Sequence, residues 1–223
     1  IETAEVSLTG ATDLSGLFFG CDSLNGADVS GIDISQVTGA DELFGGCRSL
    51  KRLKTFKNLT QELAAQITLP TTPMYDSEEK EYSSLPTNLS EGIWLSVGRP
   101  PKGHVENGTE DGVYWSIDCE GKLTVTGTGD FHEKDEWGED CEYGPWYEYS
   151  EQIITAEIQL AGITNLQGMF SGCYNLTVLD LSSLDGGSIR EMGDMLDDCS
   201  TPFLFVRESY LPRKVQSDSF DGR

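Results

Sequence analysis

A stretch of nineteen residues occurs twice in this 223-residue chain. TAEVSLTGATDLSGLFFGC, residues 3–21, aligns without gaps on TAEIQLAGITNLQGMFSGC, residues 155–173, and 11 of the 19 positions are identical. Downstream the identities thin, but Asp28/Asp180, Ser30/Ser182 and Asp33/Asp185 keep the same offset. A shorter period lies inside each copy: Cys21 and Cys47 are 26 residues apart, and so are Cys173 and Cys199. The chain is therefore two tandem copies of one module, offset by 152 residues, each built from repeats of about 26. A unit that short cannot bury its apolar face alone, so its neighbours must stack on it and share one core.

A period of 20–29 residues with Leu-x-Leu strands is the leucine-rich repeat signature. VLDLS at 178–182 alternates apolar and polar residues, so Leu179 and Leu181 point inward from a short strand. A polar turn follows. ITNLQGMF and IREMGDML then carry apolar residues at three- and four-residue spacing, which predicts a short helix or 3₁₀ segment. Gly-Cys or Asp-Cys closes the turn, where Gly20 permits a tight bend. The expected class is α/β, rich in β: short right-handed leucine-rich-repeat-type solenoids with parallel strands, together with β-hairpin cap and linker segments.

The repeat also bears on the cysteines. Stacking places Cys21 over Cys47 and Cys173 over Cys199, about 5 Å apart by the strand spacing. That distance permits a bridge, but in-register side chains point the same way, which is poor disulfide geometry. Buried structural thiols are the favoured reading, ahead of bridges and well ahead of metal binding or catalysis.

Composition excludes several function classes. Fifteen Lys and Arg against 38 Asp and Glu give a formal charge of −23, the wrong sign for a phosphate backbone or anionic lipid. An acidic surface favours solubility and cationic partners. No run approaches the roughly 18 apolar residues of a membrane helix. The chain starts with Ile and is expected to be a trimmed or mature fragment.

The repeats LFFGCDSLNGADVSGIDISQVTGADELFGGC (17–47) and MFSGCYNLTVLDLSSLDGGSIREMGDMLDDC (169–199) resemble those of the BspA-like leucine-rich repeat surface proteins of bacteria. YWSIDCEGKLTVTGTGDF (114–131) followed by PWYEYSEQI (145–153) resembles the segment that opens the repeats in that family. ITLPTTPMYDSEEKEYSSLPTNLSEGIWL (67–95) resembles a terminal segment of some members. The first copy departs from the family pattern where GADVS replaces the usual LDLS, and Cys119 and Cys141 lie outside the repeat. The resemblance implies a non-enzymatic, extracellular or cell-surface module that adheres to host matrix or cell-surface proteins or to other bacteria, with no cofactor. The expected organisation is the end of a first repeat array at 1–66, a β-rich terminal segment at 67–97, a linker at 98–112, a hairpin cap turning at CEGK within 113–152, and a second array at 153–223.

Candidate binding residues on the strand faces are Glu5, Ser7, Asp28, Glu157, Gln159 and Asp180. Residues 130–151 mix acidic side chains with Trp137, Trp146 and several tyrosines, a composition able to stack on sugar rings and hydrogen-bond their hydroxyls. The competing reading makes Trp146 a plug over the end of the repeat array, and that reading is preferred. A glycan-binding module and a passive spacer in a larger surface protein are the alternatives to adhesion. Cys119 and Cys141 are the best candidates for a disulfide. The Ca²⁺-loop spacing, HExxH and G-x-S-x-G are all missing, so no metal-binding or catalytic residue is assigned.

Overall fold

The computed structural model describes residues 3–107, 109, 112–132, 143–199 and 203–205. It divides into two compact units, Ile1–Pro100 and Pro101–Arg223, each with its own six-stranded mixed sheet and its own core. Helix is scarce among the described residues, and both units are β-rich.

In the first unit β1 (Thr3–Leu8), β2 (Gly26–Ile32) and β3 (Arg52–Lys54) run parallel, each paired with the next. The short helix α1 (Gln61–Ala64) is capped by the Thr60 hydroxyl, which accepts from the Leu63 amide at 3.2 Å. Strands β4 (Met74–Tyr75), β5 (Glu81–Tyr82) and β6 (Trp94–Val97) then add antiparallel, in the order β1-β2-β3-β6-β4-β5. The antiparallel β6 on β3 ends the parallel series.

The second unit reverses this order of events. Antiparallel strands come first: β7 (Lys102–Val105), β8 (Val113–Ile117) and β9 (Lys122–Thr128). Parallel strands β10 (Thr155–Ala161), β11 (Val178–Asp180) and β12 (Phe203–Phe205) follow on the far edge of β9. The β8–β9 hairpin turns at 118–121, where the Asp118 carboxylate accepts from the Glu120 and Lys122 amides at 2.9 Å each and Gly121 sits at φ 81°.

Two expectations are corrected. First, 98–112 is not simply a linker, because Lys102–Val105 is a strand of the second sheet. Its glycine content misled for a packing reason: a Cβ on Gly103 would sit 2.4 Å from the Trp115 indole nitrogen, so the missing side chain makes room for that ring. Second, the segments expected as a short helix or 3₁₀ segment are runs of turns: they keep the three-residue bonds of a 3₁₀ segment but form no continuous helix. Gly16 and Gly20, Glu42 and Gly46, Gly168 and Gly172, and Asp194 and Asp198 all have φ between 52° and 78°. These eight positions are the same two places in four turns, two in each unit. A left-handed residue every fourth position interrupts an α-helix.

What replaces the helix is a ladder between turns. Leu14, Gly16, Phe18 and Gly20 donate their amides to the carbonyls of Gly39, Asp41, Leu43 and Gly45 at 2.7–3.0 Å. Leu166, Gly168, Phe170 and Gly172 repeat the pattern on Glu191, Gly193, Met195 and Asp197 at 2.8–3.1 Å. The intervening amides of Leu17, Phe19 and Cys21 close three-residue turns onto Leu14, Gly16 and Phe18. Alternate amides thus serve the turn itself and the turn above, which is how a non-helical segment satisfies its backbone. In the first unit the Gln66 side chain continues this ladder, accepting from the Ala40 amide at 3.0 Å and donating to the Thr38 carbonyl at 3.3 Å.

Side chains stack with the same period. Phe18 lies on Phe44 at 5.4 Å between ring centroids and 6° between planes, and Leu24, Leu50 and Leu53 are buried in the same core. The repeated polar residues are used locally: Asp28 and Asp180 accept from the amides of Ser30 and Ser182, and Asp33 and Asp185 from those of Ser35 and Gly187.

A Cβ at Gly20 would meet nothing within 4 Å, so its cost is conformational alone. Gly20→Ala is expected to destabilise the first unit by about 1–2 kcal/mol. Gly193→Ala, equally open and without a positive φ, is expected to cost nothing measurable. Urea unfolding followed by amide exchange in each unit checks both.

Candidate binding face and the sites around it

In each sheet, alternation along the strands sends one set of side chains into the core and the other outward. Ala4, Ala27, Leu53 and Leu95 are in register across β1, β2, β3 and β6 and face the core. Their neighbours Glu5, Asp28, Lys54 and Trp94 form the matching outward row. Within it Lys54 Nζ lies 3.4 Å from Asp28 Oδ2 and 5.7 Å from the centre of the Trp94 ring. The cation is therefore shared between a carboxylate and an indole face. Ser7 donates its hydroxyl to the Gly31 carbonyl at 3.2 Å.

The second sheet has a corresponding row: Thr124, Glu157 and Asp180 are aligned across β9, β10 and β11. Lys122 donates to Glu157 at 2.6 Å, and Gln159 also donates to Glu157. These hydrogen bonds hold the Glu157 carboxyl below its ordinary value, with Lys122 the larger cause, and raise Lys122. Asp180 is likewise lowered, first by its bond with the Ser182 hydroxyl. Of the six strand-face candidates, the structure joins Glu5 with Asp28 and Glu157 with Gln159 and Asp180. Sequence reasoning missed Lys54 and Trp94, because their place in the row depends on the antiparallel return of β6.

The aromatic candidate is corrected. Trp146 is 1 % exposed and its indole N–H donates to the Met169 carbonyl at 2.8 Å. It packs on Phe131 at 5.3 Å and edge-on to Trp115 at 6.3 Å. No ring face is left for a sugar, and Trp146 is the plug under which the second core closes. Trp137 and Cys141 lie outside the described residues, so the second aromatic candidate and the expected Cys119–Cys141 bridge do as well. Cys119 itself is buried.

The four repeat cysteines are free thiols. Cys47 donates its Sγ hydrogen to the Phe18 carbonyl at 3.1 Å, and Cys199 does the same to Phe170 at 2.8 Å. Burial, then the neighbouring Cys21, pushes the Cys47 thiol up. The bond with Cys199, then burial, pushes Cys173 up. A thiol raised in this way is a packing group and a poor nucleophile. Among the described residues no group of three His, Cys, Asp or Glu is placed to hold a metal ion. None of the described helices is long and apolar enough to cross a membrane.

The family model described as Mycoplasma protein of unknown function, DUF285, matches residues 3–66 and 148–204, more than half of the chain. The two matched stretches carry the stacked turns of the two copies. No curated protein and no solved structure matches the chain.

Trp146→Ala is expected to cost the second unit about 3–5 kcal/mol, as for other buried aromatics; an unchanged unfolding midpoint would contradict the plug. The Lys122–Glu157 pair, with side chains 43 % and 32 % exposed, contributes no more than about 1 kcal/mol. Because Glu157 is lowered, that contribution is present above the ordinary Glu value of about 4.3 and is lost as pH falls through the lowered value. The stability curves of wild type and Glu157→Gln should therefore differ near neutral pH and converge in acid.

Proposed function

The chain belongs to the family described as Mycoplasma protein of unknown function, DUF285, and on that premise we propose that it is a non-enzymatic bacterial cell-surface module that binds a protein partner. The stacked turns and parallel strands support reading each copy as a short leucine-rich-repeat-type solenoid of BspA-like character. The adhesive role, the extracellular location and the host matrix or cell-surface partner belong to the same proposal.

The outward row Glu5–Asp28–Lys54–Trp94 is the observation that carries it. Asp28 holds the Ser30 amide as well as Lys54, and with Glu5 and Trp94 the row gathers mixed charge and an indole on the outer face of one sheet. An aromatic beside a charged pair is the composition of a binding hot spot. The net charge of −23 favours a partner with a basic surface and makes encounter sensitive to salt. Two copies of the module also permit avidity where a partner repeats.

Immobilised full chain, titrated with fibronectin, fibrinogen and whole host cells at low and high salt, provides the test. Binding that weakens with salt and falls roughly thirtyfold on Trp94→Ala, about 2 kcal/mol, supports the face. Absence of any signal at low salt, or binding indifferent to Trp94→Ala, would sink it.

A further inference from the structure

The two copies of the nineteen-residue stretch fold alike, yet one is covered and the other is open. In the second copy Ala156, Ile158 and Leu160 on β10 are at most 3 % exposed, and Met169 is 1 % exposed. Their equivalents in the first copy, Ala4, Val6 and Leu8 on β1, are only half-buried, and Leu17 is 41 % exposed. The four compared positions are apolar in both copies, so the difference lies in what is packed on top.

The second copy shows what that cover is. Strand β9 pairs parallel with β10 along seven registered positions, from Thr155↔Lys122 to Ala161↔Thr128. Lys122 reaches Glu157. Past the end of β9, the Asp130 carboxylate accepts from the amides of Thr164 and Asn165 at 2.8 and 3.1 Å. Trp146 then closes over the core and donates to the Met169 carbonyl. The cover thus makes four kinds of attachment: a backbone ladder, an ion pair, a carboxylate cap on two amides, and an indole plug.

The first copy keeps every receiving group. Strand β1 is the last strand of its sheet, paired with β2 alone among the described residues. Glu5 stands where Glu157 stands, with no cation paired to it among the described residues. The amides of Thr12 and Asp13 occupy the places of Thr164 and Asn165, and the Leu17 carbonyl that of Met169. An edge strand with an apolar face and a unique carboxylate is a site for strand addition.

We propose that the outer edge of β1, with Ala4, Val6, Leu8 and Leu17, is the docking site for a second copy of the hairpin and indole that residues 112–132 and 143–153 supply in this chain. Its strand adds parallel to β1, its lysine pairs with Glu5, its aspartate caps Thr12 and Asp13, and its tryptophan covers Leu17. This edge adjoins the outward sheet face proposed for partner binding and shares Glu5 with it, but strand addition uses the backbone edge of β1, and the inference stands whether or not that face binds a protein.

The test is the full chain against the same chain carrying a duplicate of residues 101–152 directly ahead of Ile1, which reproduces the natural spacing. Exchange of the β1 amides that face away from β2, and of the Thr12 and Asp13 amides, should slow about tenfold or more on duplication, as expected when edge amides join a ladder. Trp146→Ala in the added copy alone should abolish the slowing. Unchanged exchange in the duplicated chain overturns the proposal. A charge swap gives a second reading: Glu5→Lys should reduce the protection about fivefold, as a partly exposed pair worth about 1 kcal/mol allows, and Lys122→Glu in the added copy should restore it, whereas indifference to both counts against the pairing. Sedimentation of the unextended chain as a dimer with β1 already protected would show that the edge takes another chain's β1, and would also overturn it.

Discussion

Everything in this molecule depends on a backbone ladder that is neither helix nor sheet. At two places in every turn the chain takes a left-handed residue, and the amides between them alternate their allegiance. Half close a local turn and half reach the carbonyl of the next repeat. This arrangement sets the spacing between repeats on the side opposite the strands. It lets Phe18 stack on Phe44, and it aims the Cys47 thiol at the Phe18 carbonyl. The strands are short, three residues in β3 and β11. Much of the order from one turn to the next must therefore come from the ladder.

An assembly held in this way has a problem at each end, because the last turn exposes both a ladder and a core. The chain answers it twice with different means. At the end of the first array, the antiparallel β6 covers β3 while the Gln66 amide stands in for the missing turn. Ahead of the second array, a hairpin supplies a parallel strand, and Trp146 fills the space where another repeat would sit. Polar groups inside these covers are satisfied one by one, as with the two amides capped by Asp130, which makes the covers specific as well as apolar.

Much of this was legible in the residues. The offset of 152 marks two copies, the inner period of 26 marks stacked repeats within each, and Leu179 alternating with Asp180 marks the strand and its inward face. Pro-Trp ahead of the second array suggested a plug, which Trp146 is. The turns are not legible as such because three of their eight left-handed positions are Glu42, Asp194 and Asp198, which hide a spacing that Gly16, Gly20, Gly168 and Gly172 display. Apolar spacing of three and four residues fits a helix equally well, and only φ separates the two. Strand β7 is hidden in the sequence because Gly103 serves a ring that comes from a different strand. Half of the outward row is legible: Glu5 and Asp28 follow from the repeat, while Lys54 and Trp94 join them only through pairing between distant strands.

Residue-resolved amide exchange on the intact chain tests the ladder most directly. The amides of Leu14, Gly16, Phe18 and Gly20, and of Leu166, Gly168, Phe170 and Gly172, should exchange as slowly as those of the central strands β2 and β10. Exchange of these eight at the rate of exposed turns, with the strands still protected, would contradict the account.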